Sequence, residues 1–204
     1  MQYTKNDWRN RNKVVGQNGD FWLTIPVTKE SVKQKISEVR PIGHSWQEQH
    51  LRSIEHSYYN SPFKKEVLSL LRPIYLEKQW SHISELNQHI IKEVSKFIGI
   101  KTEFRNSKNF ELSEGRLNRL VDLVVQLEGT VYISGPAAKN YLASNENLFS
   151  DKKIELRYKE YGPYLKYINH HSDFVSIIDV MMNVHKEEVL SYITSLKKID
   201  HHAH

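Results

Sequence analysis

Residues 116–142, RLNRLVDLVVQLEGTVYISGPAAKNYL, decide the fold. Arg116–Leu127 carries Leu120, Val124 and Leu127 at helical spacing, and Gly129 stops it. Thr130–Ser134 (TVYIS) is a short run of β-branched and aromatic residues with the composition of a buried strand. Gly135-Pro136 then opens a further helix through Leu142, since proline is preorganised for the first helical turn. Downstream, Ile154–Tyr161 alternates Ile154, Leu156 and Tyr158 against Glu155, Arg157 and Lys159, a half-exposed strand. Upstream, Lys101–Arg105 reads as another short strand. Strands alternating with helices predict an α/β layered fold, a parallel or mixed sheet covered by helices.

The first half adds a β-hairpin and a helical section. Val14–Gln17 and Asp20–Leu23 flank Asn18-Gly19, a signal for a two-residue type I′ turn. Thr28–Ser45 is a polar connector. Trp46–Tyr59 sets Trp46, Leu51, Ile54 and Tyr58 on one side. Pro62 opens a segment carrying Val67, Leu68, Leu71 and Ile74 that is interrupted near Pro73. Ser81 caps the clearest helix, whose stripe is Ile83, Leu86, Ile90, Val94 and Phe97 and whose end is Gly99. Asn145–Lys153 is a loop, Asp173–Met182 a helix apolar on most sides, and Lys186–Leu196 a last amphipathic helix. The whole reads as one domain over residues 1–204, with the hairpin region at 1–27, helices over 46–99, alternating β/α over 100–184, and a final helix and tail over 185–204.

Composition narrows the function. The chain has 204 residues, enough for a sizeable core. A net charge of +5 suits an anionic ligand, but the basic residues are spread too widely to argue for nucleic acid. With no cysteine there is no disulfide, thiol nucleophile or cysteine zinc site, which fits a reducing compartment. No segment reads as a signal peptide or a bilayer span, so a soluble, cytoplasmic protein without membrane partners is expected.

Gln2–Asn12 (QYTKNDWRNRN) sets Lys5, Arg9 and Arg11 among Asn6, Asn10, Asn12, Tyr3 and Trp8. With Lys13, these cations fall on alternate positions and share a face if the chain is extended. Such a face offers forked donors to a carboxylate or phosphate. It is equally the face of a solvated edge strand, where Lys and Arg discourage aggregation. On residue chemistry alone, the edge strand is the simpler of the two.

Other candidates are sparser. Ser134-Gly135-Pro136 closes a strand and begins a helix, with Lys139 one turn in, so an anion can meet backbone amides there. Plain turn chemistry produces the same pattern, and no Walker loop is present. His50 and His56 are too far out of phase to share a helix face, and His82 and His89 are a poor metal pair. His170-His171 and the terminal Asp200–His204 run are further candidates, and all of these histidines read as surface or hydrogen-bonded groups. Asp179 lies among apolar neighbours, so burial requires an Arg, Lys or helix N-terminus as partner. It reads either as a site-facing carboxylate or as one half of a structural ion pair. Tyr158, Tyr161, Tyr164 and Tyr167 form a ladder open to core packing or to stacking a sugar or base.

QYTKNDWRNRN, WLTIPV (Trp22–Val27) and Ser134-Gly135-Pro136 with Lys139 resemble the WbqC-like family, encoded in bacterial gene clusters for O-antigen and other surface polysaccharides. The resemblance continues through Trp46, His50, Ile54, Tyr58, Pro62-Phe63, Leu86-Asn87, Gly99-Ile100, Thr102, Tyr158, Tyr161 and Ser176–Asp179, over most of residues 1–184. It departs in two places. Family members carry roughly forty further residues upstream, a strand-helix-strand unit, and Leu117-Asn118-Arg119-Leu120 stands where the family has Thr-Glu-Arg-Leu. The resemblance implies a protein of surface-polysaccharide assembly, and with it aminoacyl or acyl transfer to a nucleotide-linked amino sugar. In that picture Lys5, Arg11 and Lys139 hold phosphate or carboxylate, and Gln2, Asn10 and Asn12 orient hydroxyls or amides. His50 is the base, Asp179 an orienting carboxylate, and Tyr3, Trp8, Ser134, Gly135 and Tyr158 complete the binding set. No cofactor or metal set is implied. The alternatives are a non-catalytic relative that lost its first unit, whose exposed edges would invite homo-oligomers, and a single-stranded nucleic-acid binder.

Overall fold

The computed structural model describes residues 2–4, 8–28, 30–31, 34–168, 172–196 and 200–201. The chain forms two compact units, one built from Met1–Thr102 and Leu165–Ile193, the other from Glu103–Tyr164 and Thr194–His204. The expected mixed α/β architecture is present: an N-terminal hairpin, a helical middle and a small sheet with a parallel pair.

In the first unit, β1 (Arg11–Gly16) pairs antiparallel with β2 (Gly19–Thr24). Gly16 faces Gly19, so the two-residue loop is Gln17-Asn18 rather than Asn18-Gly19. The turn is not type I′, which needs positive φ at both loop residues. Among the described residues only Glu128 and Lys153 are non-glycines at positive φ, and Gly19 takes the left-handed position at +105°. α1 (Ser45–Ser57) buries Trp46, Leu51 and Ile54, with Tyr58 just past its end. α2 (Lys64–Leu76) runs through Pro73 without interruption. Burial of Leu71 and Ile74 on either side of the proline outweighs the hydrogen bond it removes. α3 (Ile83–Phe97) is capped not by Ser81 but from His82, and the Ile83 amide bonds to the Val39 carbonyl.

Two short helices return the chain to this unit. α7 (Ile177–Asn183) starts four residues later than the apolar run suggests. The Ser176 hydroxyl accepts from the Ile178 amide and the Ser176 amide donates to the Lys13 carbonyl, which fixes the start. α8 (Val189–Ile193) is shorter than its expected helix. One core joins Val14, Ile54, Val67, Leu71, Met181 and Met182; another joins Tyr3, Ile25, Val39, Trp46, Ile83 and Leu86.

Residues 101–106 form no strand and are exposed, with Glu103 and Arg105 of the second unit paired to each other at 2.8 Å. α4 (Arg116–Gln126) leads to β3 (Val131–Ser134), which pairs parallel with β4 (Glu155–Tyr158). Between them lie α5 (Lys139–Ala143) and α6 (Asn147–Ser150), the latter inside the expected loop. β5 (Asp200–His201) adds antiparallel to β4, giving the order β3-β4-β5. β3 is therefore an edge and only half-buried, with Ile133 49% exposed, rather than the buried strand its composition suggests. Phe149, Leu142, Ile154 and Leu156 form this unit's core. Among the described residues no helix is long and apolar enough to cross a membrane.

Candidate functional site

The first unit holds a cleft of about 160 Å³ whose wall is Trp8–Asn12, closed by Ile25, His50, Tyr75, Asn87 and Ser176. Its shape follows from a turn that ends in a strand. Residues 8–10 form the turn and β1 begins at Arg11. The Asn87 side chain donates to the Arg9 carbonyl at 2.8 Å, pinning the turn to α3. Asn10 is 4% exposed; its carbonyl accepts from the Ile25 amide at 2.8 Å and its Nδ2 donates to the Ile25 carbonyl at 3.0 Å. Both bonds tie the turn to the end of β2.

These ties leave two polar atoms over. Asn10 Oδ1 and Arg11 Nε are buried without a hydrogen-bond partner among the described residues. A buried unsatisfied group costs about 1–3 kcal/mol, and native structures contain few of them. Here an acceptor and a donor stand on consecutive residues lining one cleft. The Arg11 guanidinium stacks 4.1 Å from the Trp22 ring, and Lys13 reaches the same ring at 5.4 Å. Among the described residues the expected cationic face therefore reduces to Arg11 and Lys13. Arg9 lies in the turn over Trp8 at 4.8 Å, and Lys5 falls outside the described residues.

His50 contacts the edges of Trp46 and Tyr75, with ring centroids 5.4 and 6.3 Å away. Its Nε2 lies 3.1 Å from the Thr24 carbonyl, which can only accept, so this nitrogen carries the proton. Burial lowers the imidazole pKa, and the Thr24 bond opposes that shift more weakly. The ring is thus neutral at neutral pH, with Nδ1 as its basic atom. Burial also pushes the Tyr75 hydroxyl up to about 12, so it remains a donor.

The remaining sequence candidates are dispersed. Tyr3 is a core residue, 4% exposed, and Gln2 bridges to Lys35; neither lines this cleft. Asp179 lines a separate, larger cleft of the same unit. Its partner is the Tyr167 hydroxyl rather than an Arg or Lys, and it sits in the first turn of α7. Among the described residues it is therefore no ion-pair lock. Ser134, Gly135, Lys139 and Tyr158 belong to the second unit, where Lys139 lies 5.7 Å over the Tyr158 ring and Tyr158 is 2% exposed. Asn118 and Arg119 are exposed on α4 of that unit. His170 and His171, with the last three residues of the tail, fall outside the described residues. Among the described residues no group of three His, Asp or Glu is placed to hold a metal ion. Sequence reading missed Tyr75, Trp22 and Asn87. Asn87 follows Leu86 in the resembling run, but nothing local tells that it reaches the Arg9 carbonyl.

No solved structure matches this chain. The uncharacterized protein Rv1507c of Mycobacterium tuberculosis is 37% identical over 191 residues, covering 92% of this chain and 82% of that protein. The model of the WbqC-like protein family matches residues 1–191. Because that match starts at the first residue, it gives no support to a lost upstream unit. Cleft-lining Trp8–Asn12 falls within the residues that the family model matches, and the chain belongs to the WbqC-like protein family.

Proposed function

We propose that the Trp8–Asn12 cleft binds a small anionic, hydroxylated ligand, a nucleotide-linked amino sugar of bacterial surface-polysaccharide assembly, and that the protein transfers an acyl or aminoacyl group to its amine. The observation that carries the reading is the adjacent pair of buried groups, Asn10 Oδ1 and Arg11 Nε, without protein partners among the described residues. The acceptor suits a sugar hydroxyl or amide N–H, and the donor suits a phosphate or carboxylate oxygen. A cleft of about 160 Å³ encloses one sugar-sized group and leaves a nucleotide outside it. Arg11 and Lys13 on Trp22 offer that outer portion two charges and an aromatic edge.

In the transfer, the sugar amine attacks an activated carbonyl, a C–N bond forms, and the leaving group departs with the bonding pair. Neutral His50 is the group to take the amine proton.

A thermal-shift screen against nucleotide-linked amino sugars, free nucleotides, amino acids and sugar acids tests this reading. Ligand bound to the native state alone raises Tm. The expected result is a shift with a nucleotide-linked amino sugar that Arg11→Ala abolishes, while the ligand-free Tm stays within a few degrees. A shift that survives Arg11→Ala contradicts the site, and a shift with amino acids alone contradicts the substrate.

A further inference from the structure

The larger cleft of the first unit, about 530 Å³, falls within the range of small-molecule sites. It is lined by His56, Tyr58, Asn60, Ser61, Asp179 and Asn183, with the hairpin residues Val15–Gln17 on one side. Asp179 is 1% exposed. The Tyr167 hydroxyl donates to its carboxylate, and the Tyr58 hydroxyl lies beside it while accepting from the Val15 amide at 3.3 Å. Burial, joined by the Asp179 charge, pushes both tyrosines far above the ordinary phenol range, so both stay neutral donors. Hydroxyl donors orient a carboxylate but leave its charge uncancelled, and a buried carboxylate without a cation is costly.

No Lys or Arg pairs with Asp179 among the described residues. Lys64, next to the rim, is engaged with the ring and carbonyl of Tyr59. Asp20 adds negative charge near Tyr58. One carboxylate is too few oxygen ligands for calcium or magnesium, whereas it is the usual counterpart of one ammonium group. The amides of Asn60 and Asn183 and the Ser61 hydroxyl around it suit a polyhydroxylated body.

We propose that this cleft binds a small organic cation, a primary ammonium carried by an amino sugar or an amino acid, with Asp179 as its counter-charge. The proposal is independent of what the Asn10–Arg11 cleft takes up. Both clefts are lined from β1, α1 and α7, so the two sites lie along shared elements: His50 and His56 on one helix, Asn12 and Val15 on one strand.

Titration calorimetry with glucosamine, N-acetylglucosamine and glycinamide tests it. Acetylation removes the charge and keeps the ring, so glucosamine is expected to bind about tenfold or more tighter than N-acetylglucosamine. The stronger of glucosamine and glycinamide identifies the sugar or the amino acid as source. Folded Asp179→Asn is expected to lose the preference. Should that variant not fold, Asn60→Trp at the exposed rim fills the cleft and is expected to abolish binding with Tm unchanged. Equal affinities for the amine and its acetamide, a preference retained in folded Asp179→Asn, binding unaffected by Asn60→Trp, or no binding of either amine each overturn the proposal.

Discussion

His50 illustrates how one side chain serves both fold and site. Its Nε2–H closes the end of β2 through the Thr24 carbonyl, and its burial against Trp46 disfavours the charged form. The sign of the pH effect follows. With the folded pKa below the unfolded value of 6.5, the unfolded chain binds more protons in the interval between them. Stability contributed by neutral His50 is therefore complete above pH 6.5 and is lost as pH falls through that interval. Thermal melts from pH 7.5 to 5 should show Tm falling on acidification, and His50→Gln should flatten that part of the fall; an unchanged slope in the variant contradicts it. The sequence shows His50 in phase with Leu51 and Ile54 on an apolar face, but not the partner, because Thr24 belongs to a strand distant in the chain. Asp179 was legible as a buried carboxylate for the same reason, and its tyrosine partners were not. Aromatic hydroxyls leave no charge pattern to read.

At the scale of elements, apolar periodicity located α1, α2 and α3 because their stripes are long. Of the short pieces, β3 and β4 form inside their expected runs, whereas others differ. Lys101–Arg105 reads as a strand, but among the described residues no strand pairs with it. α7 and α8 are shorter than their apolar runs because Ser176 capping and turns at 186–188 set their limits. The hairpin shows the finest difference. Glycine at φ +105° follows the two-residue loop rather than completing it, so each β1 residue faces a partner two positions away from the one an Asn18-Gly19 loop would give, on the same face of the ribbon. That register sets Lys13 opposite Trp22 and thereby the stacked pair of cations on one ring. Gly19→Ala has space for a Cβ but not the backbone conformation. It should cost about 1 kcal/mol or more in chemical denaturation and weaken anionic-ligand binding with it. Unchanged stability would show that the turn tolerates an ordinary residue.

Over the whole molecule, the first unit is discontinuous in sequence: residues up to Thr102 receive Leu165–Ile193 after the β3–β4 unit has been built. A linear reading sees one domain running into alternating β/α, and so it grouped candidates that belong to different units. Asn10, Arg11 and His50 do share a cleft; Ser134, Gly135, Lys139 and Tyr158 lie in the other unit. The excess positive charge of +5 is a weak guide compared with the two buried groups beside Trp8 that lack a partner among the described residues. A ligand that completes those groups should be visible at them, by following the Arg11 Nε–H and Asn10 side-chain resonances in heteronuclear NMR during titration with a nucleotide-linked amino sugar. Both resonances are expected to move in step with saturation, the Arg11 Nε–H towards the position of a hydrogen-bonded donor. Saturable binding that leaves both resonances in place would contradict it.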